Sequence, residues 1–251
     1  MITLDYLMKR LSGLYSYLEN RSLSMYWQAR AKQVIEGVQI SSRDHVLEIG
    51  CGVGLWTSFF TPRSRSFVAI DLDKGFTKYI KSWKAPCGLL HPTHSAHIGV
   101  ANAEQLPFLR DTFSRIIAID VIEHVPDDRA MVEEMYRVLA PNSRLVLTTL
   151  LADRPSYFQR MNFEDHKREY SQDGLCELVK SVGFDIEKYF YFYFTPTLFA
   201  REIQVFIESK AIGRFIGVSL MVGLILRMIS SIEKFFCFGR PGGIGVVAVK
   251  S

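Results

Sequence analysis

The chain has 251 residues, of which 48% are hydrophobic and 22% charged. That balance excludes intrinsic disorder and leaves room for one large domain or two small ones. The net charge of +4 is uneven: from Thr195 to Ser251 seven Lys/Arg stand against three Asp/Glu, an excess equal to that of the whole chain. Positive charge gathered beside an apolar stretch suits an anionic membrane surface better than nucleic acid. Four cysteines, Cys51, Cys87, Cys176 and Cys237, form no CxxC pair. Neither a zinc cage nor a disulfide framework is therefore expected, and a reducing cytoplasm is the assigned compartment.

The N-terminal run "MITLDYLMKRLSGLYSYL" carries Asp5, Lys9 and Arg10 inside its apolar pattern, which predicts an amphipathic helix over 3–18 and no signal peptide. A second helix is expected over 23–38. Short β-branched runs then alternate with amphipathic segments. "HVLEIG" (45–50), "SFVAID" (66–71), "RIIAID" (115–120) and "RLVLTTL" (144–150) read as strands. Between the last two, Asp128–Leu139 reads as a helix capped by Asp127 and stopped before Pro141-Asn142. "QDGLCELVKSVGF" predicts another helix, "FDIEKYFYFYF" a strand with Tyr and Phe on opposite faces, and "GIGVVAVK" a final strand. Strands alternating with helices imply a doubly wound, mostly parallel α/β sheet covered on both faces. One domain over 1–251 is expected: N-terminal helices (1–42), a core (43–194), an insert (195–243) and the last strand (244–251).

"VLEIGCGVGLWTSFF" carries the chemistry. A strand passes from Glu48 through Gly50, Gly52 and Gly54 into a helix beginning near Leu55. Glycines allow a tight turn and a backbone that lies directly against a ligand. The dinucleotide fingerprint GxGxxG would need Gly at 55, where Leu stands. The acid two positions before the first glycine repels pyrophosphate and welcomes an ammonium, so the ligand is read as a cationic amino acid–nucleoside conjugate. Asp71, at the tip of the next strand, is placed to accept hydrogen bonds from both ribose hydroxyls.

With these residues the chain resembles the class I S-adenosylmethionine-dependent methyltransferases, in the branch that includes the ubiquinone and menaquinone enzymes. The resemblance extends through "ANAEQLPFLRDTFSRIIAIDVIEHVPD" (101–127) and "DHKREYSQDGLCELVKSVGF" (165–184), covering about residues 45–190. It implies a Rossmann-like sheet with an antiparallel last strand. It also implies S-adenosylmethionine as cofactor, leaving as S-adenosylhomocysteine. Carried over by position, Glu48, Gly50, Cys51, Gly52 and Gly54 surround the methionine part. Asp71 holds the ribose, Leu72 packs on the adenine, Asn102 and Ala103 meet the adenine edge, and Asp120 and His124 lie near the sulfonium. Asn102 replaces the family's usual Asp, which predicts weaker adenine binding. Ser114 replaces a common Asp and is read as a surface change.

Methyl transfer from a sulfonium is an in-line displacement, and a base is needed only when the acceptor still carries its proton. His124 and His166 are the candidate bases, and Tyr170, with His166, a candidate acceptor contact. His91, His94 and His97 are read as a polar loop, since Pro92 disfavours the helix that would align them, and no metal is expected. In "IGRFIGVSLMVGLILRMISS" (212–231) twelve uncharged residues separate Arg214 from Arg227. They make about 18 Å of helix against a hydrocarbon core of about 30 Å. The stretch therefore reads as a lid over the acceptor pocket, an interfacial helix on an anionic membrane, or an oligomer interface. The expected function is methylation of a small, lipophilic acceptor at oxygen or carbon by a cytoplasmic protein peripheral to the inner membrane face. Methylation of nucleic acid or protein, and cofactor binding without transfer, are the alternatives. No nucleic-acid partner is expected, because residues 1–194 hold no basic stripe with interleaved aromatics.

Overall fold

Strands whose two faces are both covered must be apolar at consecutive positions. In the computed structural model, which describes residues 25–52, 54–82, 96–154, 166–199, 228 and 239–251, the runs with that pattern lie in the middle of a seven-stranded sheet. The strands are β1 (His45–Ile49), β2 (Ser66–Asp71), β3 (Ala96–Val100), β4 (Phe113–Ile119), β5 (Leu139–Leu150), β6 (Phe184–Phe192) and β7 (Gly243–Lys250). Their order is β3-β2-β1-β4-β5-β7-β6. β1 to β5 pair in parallel, with Ile49 opposite both Ile70 and Ala118, and Ile119 opposite Thr148. β7 runs antiparallel to β5, with Val247 opposite Val146. The expected sheet, antiparallel last strand included, is the observed one. Its parallel register brings the carboxyl ends of β1, β2 and β4 to one edge.

Helices cover both faces. α1 (Met25–Val38) precedes β1, and α2 (Leu55–Phe60), α3 (Lys74–Ser82), α4 (Asp128–Val138) and α5 (Gln172–Ser181) fall between the strands. On one face Met131, Val132 and Met135 of α4 and Leu175 and Val179 of α5 join Leu47, Ile116, Leu145 and Leu147 in one buried cluster. On the other, α1 meets β5 and β7 so closely that a Cβ on Gly37 would stand 2.7 Å from Val247 Cγ2. Asp127 caps α4 as expected, its Oδ1 accepting from the Ala130 N–H at 2.9 Å. Ser171 caps α5 by accepting from the Gly174 N–H at 3.1 Å. The far end of β7 is pinned by Lys250, 6% exposed, whose Nζ donates to Asp111 Oδ1 (2.5 Å) and to the carbonyls of Leu139 (2.7 Å) and Tyr136 (2.9 Å).

Three features depart from the expected elements. β3, "AHIGV", has no counterpart in the sequence reading, and His97 lies in this edge strand; His91 and His94 lie outside the described residues. β5 begins at Leu139, directly where α4 ends, instead of at Arg144. Ser114 is no free surface residue: its Oγ accepts from the His45 N–H at 3.0 Å and donates to Asp44 Oδ1 at 2.8 Å, tying the start of β4 to that of β1.

By internal packing the chain divides into two compact units. One comprises Gln33–Arg154, Asn162–Tyr191 and Gly243–Ser251, and contains the sheet apart from Phe192. The other comprises Met1–Lys32, Pro155–Met161 and Phe192–Gly242. Within it, Arg30 lies 5.5 Å from the ring centroids of both Phe192 and Tyr193. The Gly242 N–H is shared between the carbonyls of Tyr193 (2.8 Å) and Phe192 (3.2 Å). Of the expected insert, residues 195–199 are helical; the apolar stretch 212–231, like the helix expected over 3–18, falls outside the described residues apart from Met228. No described helix is long and apolar enough to cross a membrane.

Candidate active site

The turn after β1 is built from three left-handed residues, Gly50 (φ +70°), Gly52 (φ +48°) and Gly54 (φ +81°). An L-residue pays about 1–2 kcal/mol in that region, so the sequence spends its glycines where the backbone requires them. Space gives each a separate reason. A Cβ on Gly50 would overlap Val121 Cγ2 at 2.1 Å, and one on Gly54 would crowd Ile80 Cγ1 at 3.1 Å. A Cβ on Gly52 would meet no atom within 4 Å. Gly50 and Gly54 are thus glycines for packing, whereas Gly52 faces open space where a ligand can approach the backbone.

Beneath this turn lies Glu48, only 2% exposed, its Oε2 accepting from Thr57 Oγ1 at 2.5 Å. Burial pushes its carboxyl up to about 8, against the pull of the Thr57 hydroxyl and with help from the negative charge of Asp71. Cys51, 4% exposed, has its thiol pushed up by burial and then by Glu48 and Asp71, so it stays protonated at neutral pH. Asp71 closes the turn across the strands. Its Oδ2 accepts from the Gly52 N–H at 2.8 Å and its Oδ1 from the Asp73 N–H at 2.9 Å. A carboxylate has about four acceptor sites, so two remain for hydroxyl donors. Leu72 beside it is 70% exposed, an apolar side chain offered to whatever lies on it.

The loop after β3 returns to the tip of β2, where the Ala101 N–H donates to the Asp71 carbonyl at 3.2 Å. Asn102 folds its side chain locally: its Oδ1 accepts from the Glu104 N–H at 3.0 Å, and Ala103 is buried. α4 holds this loop from behind. Glu134 Oε2 accepts from the Leu106 N–H at 2.6 Å, and Arg137 donates to the carbonyls of Leu106 (2.9 Å) and Phe108 (2.8 Å). The Arg137 guanidinium bonded to Glu134 holds the Glu134 carboxyl below its usual range, so the clamp stays charged.

At the end of β4, Asp120 takes the left-handed region (φ +54°) and its Oδ1 accepts from Thr148 Oγ1 at 3.1 Å. His124 is exposed and His166 partly so; their rings meet edge to face with centroids 4.7 Å apart. The fold thus joins two candidate residues 42 positions apart. Tyr170 goes elsewhere: its ring is 6% exposed and its hydroxyl donates to Asp128 Oδ2 at 2.7 Å, at the start of α4. Burial raises its phenol first, and Asp128 raises it further. The sequence reading did not single out Thr57, Thr148 or Glu123. Glu123 is 2% exposed and its Oε2 accepts from Thr149 Oγ1 at 3.0 Å. Its position between apolar Ile122 and His124 is the only local signal of a buried acid.

The residues at this edge fit S-adenosylmethionine: an open glycine backbone at Gly52, a buried acid at Glu48, a two-point acceptor at Asp71 and an apolar surface at Leu72. A family model described as a methyltransferase domain matches residues 22–189. An O-methyltransferase of Penicillium expansum is 28% identical, over 64% of this chain and 64% of its own. An O-methyltransferase of Pyrenophora dematioidea is 31% identical, over 61% of this chain and 59% of its own. These matches span less than two thirds of the length of those curated relatives. Among solved structures, a phosphoethanolamine N-methyltransferase of Haemonchus contortus in complex with S-adenosyl-L-methionine aligns with a TM-score of 0.61 at 16% identity, over 89% of this chain and 52% of that one. With the sheet order, the glycine turn and the family match in agreement, the chain belongs to the class I S-adenosylmethionine-dependent methyltransferases.

Proposed function

We propose that this protein transfers a methyl group from S-adenosylmethionine to a hydroxyl or carbon of a small, lipophilic acceptor. The observation that carries the reading is the arrangement of Glu48, Gly52 and Asp71 at one strand edge, where a buried acid, an open backbone and a fixed carboxylate converge. The cofactor, when bound, supplies an electrophilic methyl group on a sulfonium. Glu48 and the 50–54 turn hold its amino-acid part, Asp71 its ribose, and Leu72, Asn102 and Ala103 its base. Asp120, fixed by Thr148, places a negative charge at the end of β4, where a cationic centre is favoured. His124 and His166, whose rings meet edge to face, are the two groups proposed to take a proton from a hydroxyl acceptor where the acceptor still carries one. Oxygen is favoured as the acceptor atom because O-methyltransferases recur among the relatives.

The lipophilic character of the acceptor rests on the basic, apolar stretch 212–231, which also supports a peripheral association with anionic lipid on the cytoplasmic membrane face. Incubating the protein with labelled methyl donor and a lipid extract, then identifying products by mass spectrometry, tests the transfer. Label appearing in lipid-soluble product is the expected result; label appearing only in nucleic acid or protein would refute it. Flotation with anionic liposomes at low salt tests the membrane part, and a protein that stays at the bottom of the gradient is not interfacial.

A further inference from the structure

Glu123, His124 and His166 each offer one ligand atom, and these atoms lie within 4.8 Å of one another. We infer that this trio is a binding site for a first-row divalent cation of the zinc or manganese type, set at the carboxyl edge of the sheet beside the methyl-donor site. The chemistry of the donor set selects the ion: two imidazoles and one carboxylate suit Zn²⁺, Mn²⁺, Fe²⁺ or Co²⁺, and do not suit Ca²⁺ or Mg²⁺, which prefer oxygen throughout. Three protein ligands leave positions open, which is the arrangement of catalytic and not of structural zinc sites.

The geometry is close to what an ion needs. Around a cation with bonds of about 2.0–2.2 Å, adjacent ligand atoms stand about 3–3.5 Å apart. From separations of at most 4.8 Å, closure needs a shift of about 1 Å, within the reach of χ rotation by the exposed His124 and the partly exposed His166. Glu123 needs no such freedom, because it is already aimed. Its Oε2 is held by Thr149 at 3.0 Å, and its backbone carbonyl accepts from the Lys167 N–H at 2.7 Å, which draws the segment carrying His166 against the turn carrying His124. An outer-shell hydroxyl that orients a ligating carboxylate is the support such sites use. Thr149 is therefore a positioning residue.

The role of the ion, though not its binding, rests on the methyl-transfer reading. A hydroxyl oxygen of the acceptor occupying an open position is acidified as metal-bound water is, and its proton leaves to solvent. The new O–CH₃ bond then forms as the S–CH₃ bond of the donor breaks, giving a methyl ether, S-adenosylhomocysteine and one released proton. In this account His124 and His166 act as ligands, and no general base is required of either.

Titration of the metal-stripped full chain with Co²⁺, read by visible absorption, and with Zn²⁺, read by calorimetry, tests the site without any turnover. One equivalent is expected to bind. His166→Ala and His124→Ala should each weaken it more than tenfold, and Thr149→Val about 10–100-fold. His166→Gln serves where the alanine variant does not fold, and S-adenosylmethionine affinity of the His166 variants reports the integrity of the neighbouring site. No uptake by the wild-type chain overturns the inference. So does uptake that His166→Ala and His124→Ala leave intact, or that is lost on replacing His91 and His94 instead. Intact cofactor binding without metal uptake would sink the metal site alone, whereas metal uptake without any methylated product would support the site and sink the transfer reading.

Discussion

Replacing Glu48 by Gln should remove a pH dependence that the wild-type site carries. The carboxyl is 2% exposed and pushed up to about 8 from an ordinary 4.5. At pH 7 about nine in ten ligand-free molecules then hold a neutral acid there. Pairing with the cofactor's ammonium requires the carboxylate, so binding near pH 7 releases about one proton. Below the raised pKa, affinity should rise about tenfold per pH unit, or roughly 30-fold between pH 5.5 and 7. The cofactor's own amine, titrating near pH 8, caps the trend, so the reading belongs below pH 7.5. Calorimetry in two buffers of different ionisation heat counts the proton directly. The stability of the free protein carries the opposite sign. A carboxyl with a raised folded pKa contributes stability that is full below pH 4.5 and lost as pH rises through 8, so the ligand-free melting temperature should fall across that window and less so in Glu48→Gln. Thr57→Val removes the hydroxyl that opposes the rise, and should move the affinity profile to higher pH. A wild-type affinity flat from pH 5.5 to 7.5, or a slope that survives in Glu48→Gln, would refute the pairing of this acid with the cofactor.

The glycine turn separates packing from binding. Gly50→Ala meets Val121 at 2.1 Å in a left-handed conformation and should cost about 2–5 kcal/mol of stability by chemical denaturation. Gly52→Ala meets nothing within 4 Å; it should cost about 1 kcal/mol yet weaken cofactor binding more than tenfold by calorimetry. Asp71→Ala should also weaken cofactor binding more than tenfold, since it removes both the proposed ribose acceptor and the partner of the Gly52 N–H. Tyr170→Phe removes a buried hydroxyl donated to Asp128 at 2.7 Å. A loss of about 1–2 kcal/mol is expected in a thermal melt, and an unchanged melting temperature would return that hydroxyl to the acceptor site.

What could be read from the sequence was what the backbone demands locally. β1, the second half of β4 and the body of β5 are buried on both faces, and β2 is at least half-buried throughout, so their apolar runs are continuous and stand out. The three glycines follow from three left-handed residues in one turn. β3 was hidden because it is an edge strand of intermediate and exposed residues, "AHIGV", with one large aliphatic on each side of a glycine. It is held by pairing with β2 more than by burial. The start of β5 was hidden by Pro141 and Asn142, which read as a loop although the strand passes them with an irregular register between Phe113 and Arg115 of its neighbour.

The partners of the site residues were hidden for a different reason, which is register. Thr148 and Thr149 are adjacent in β5, so their side chains point to opposite faces of the sheet. The pairing of Ile119 with Thr148 puts Thr148 within reach of Asp120, at 3.1 Å, and Thr149 within reach of Glu123, at 3.0 Å. A slip of one residue between β4 and β5 would exchange those faces and leave both acids without these hydroxyls. The sequence "TT" therefore serves two carboxylates on two sides of one strand, Asp120 at the end of β4 and Glu123 beside the histidine pair. Neither threonine is interpretable until the alignment of β4 on β5 is known, because the same dipeptide in any other register orients neither acid.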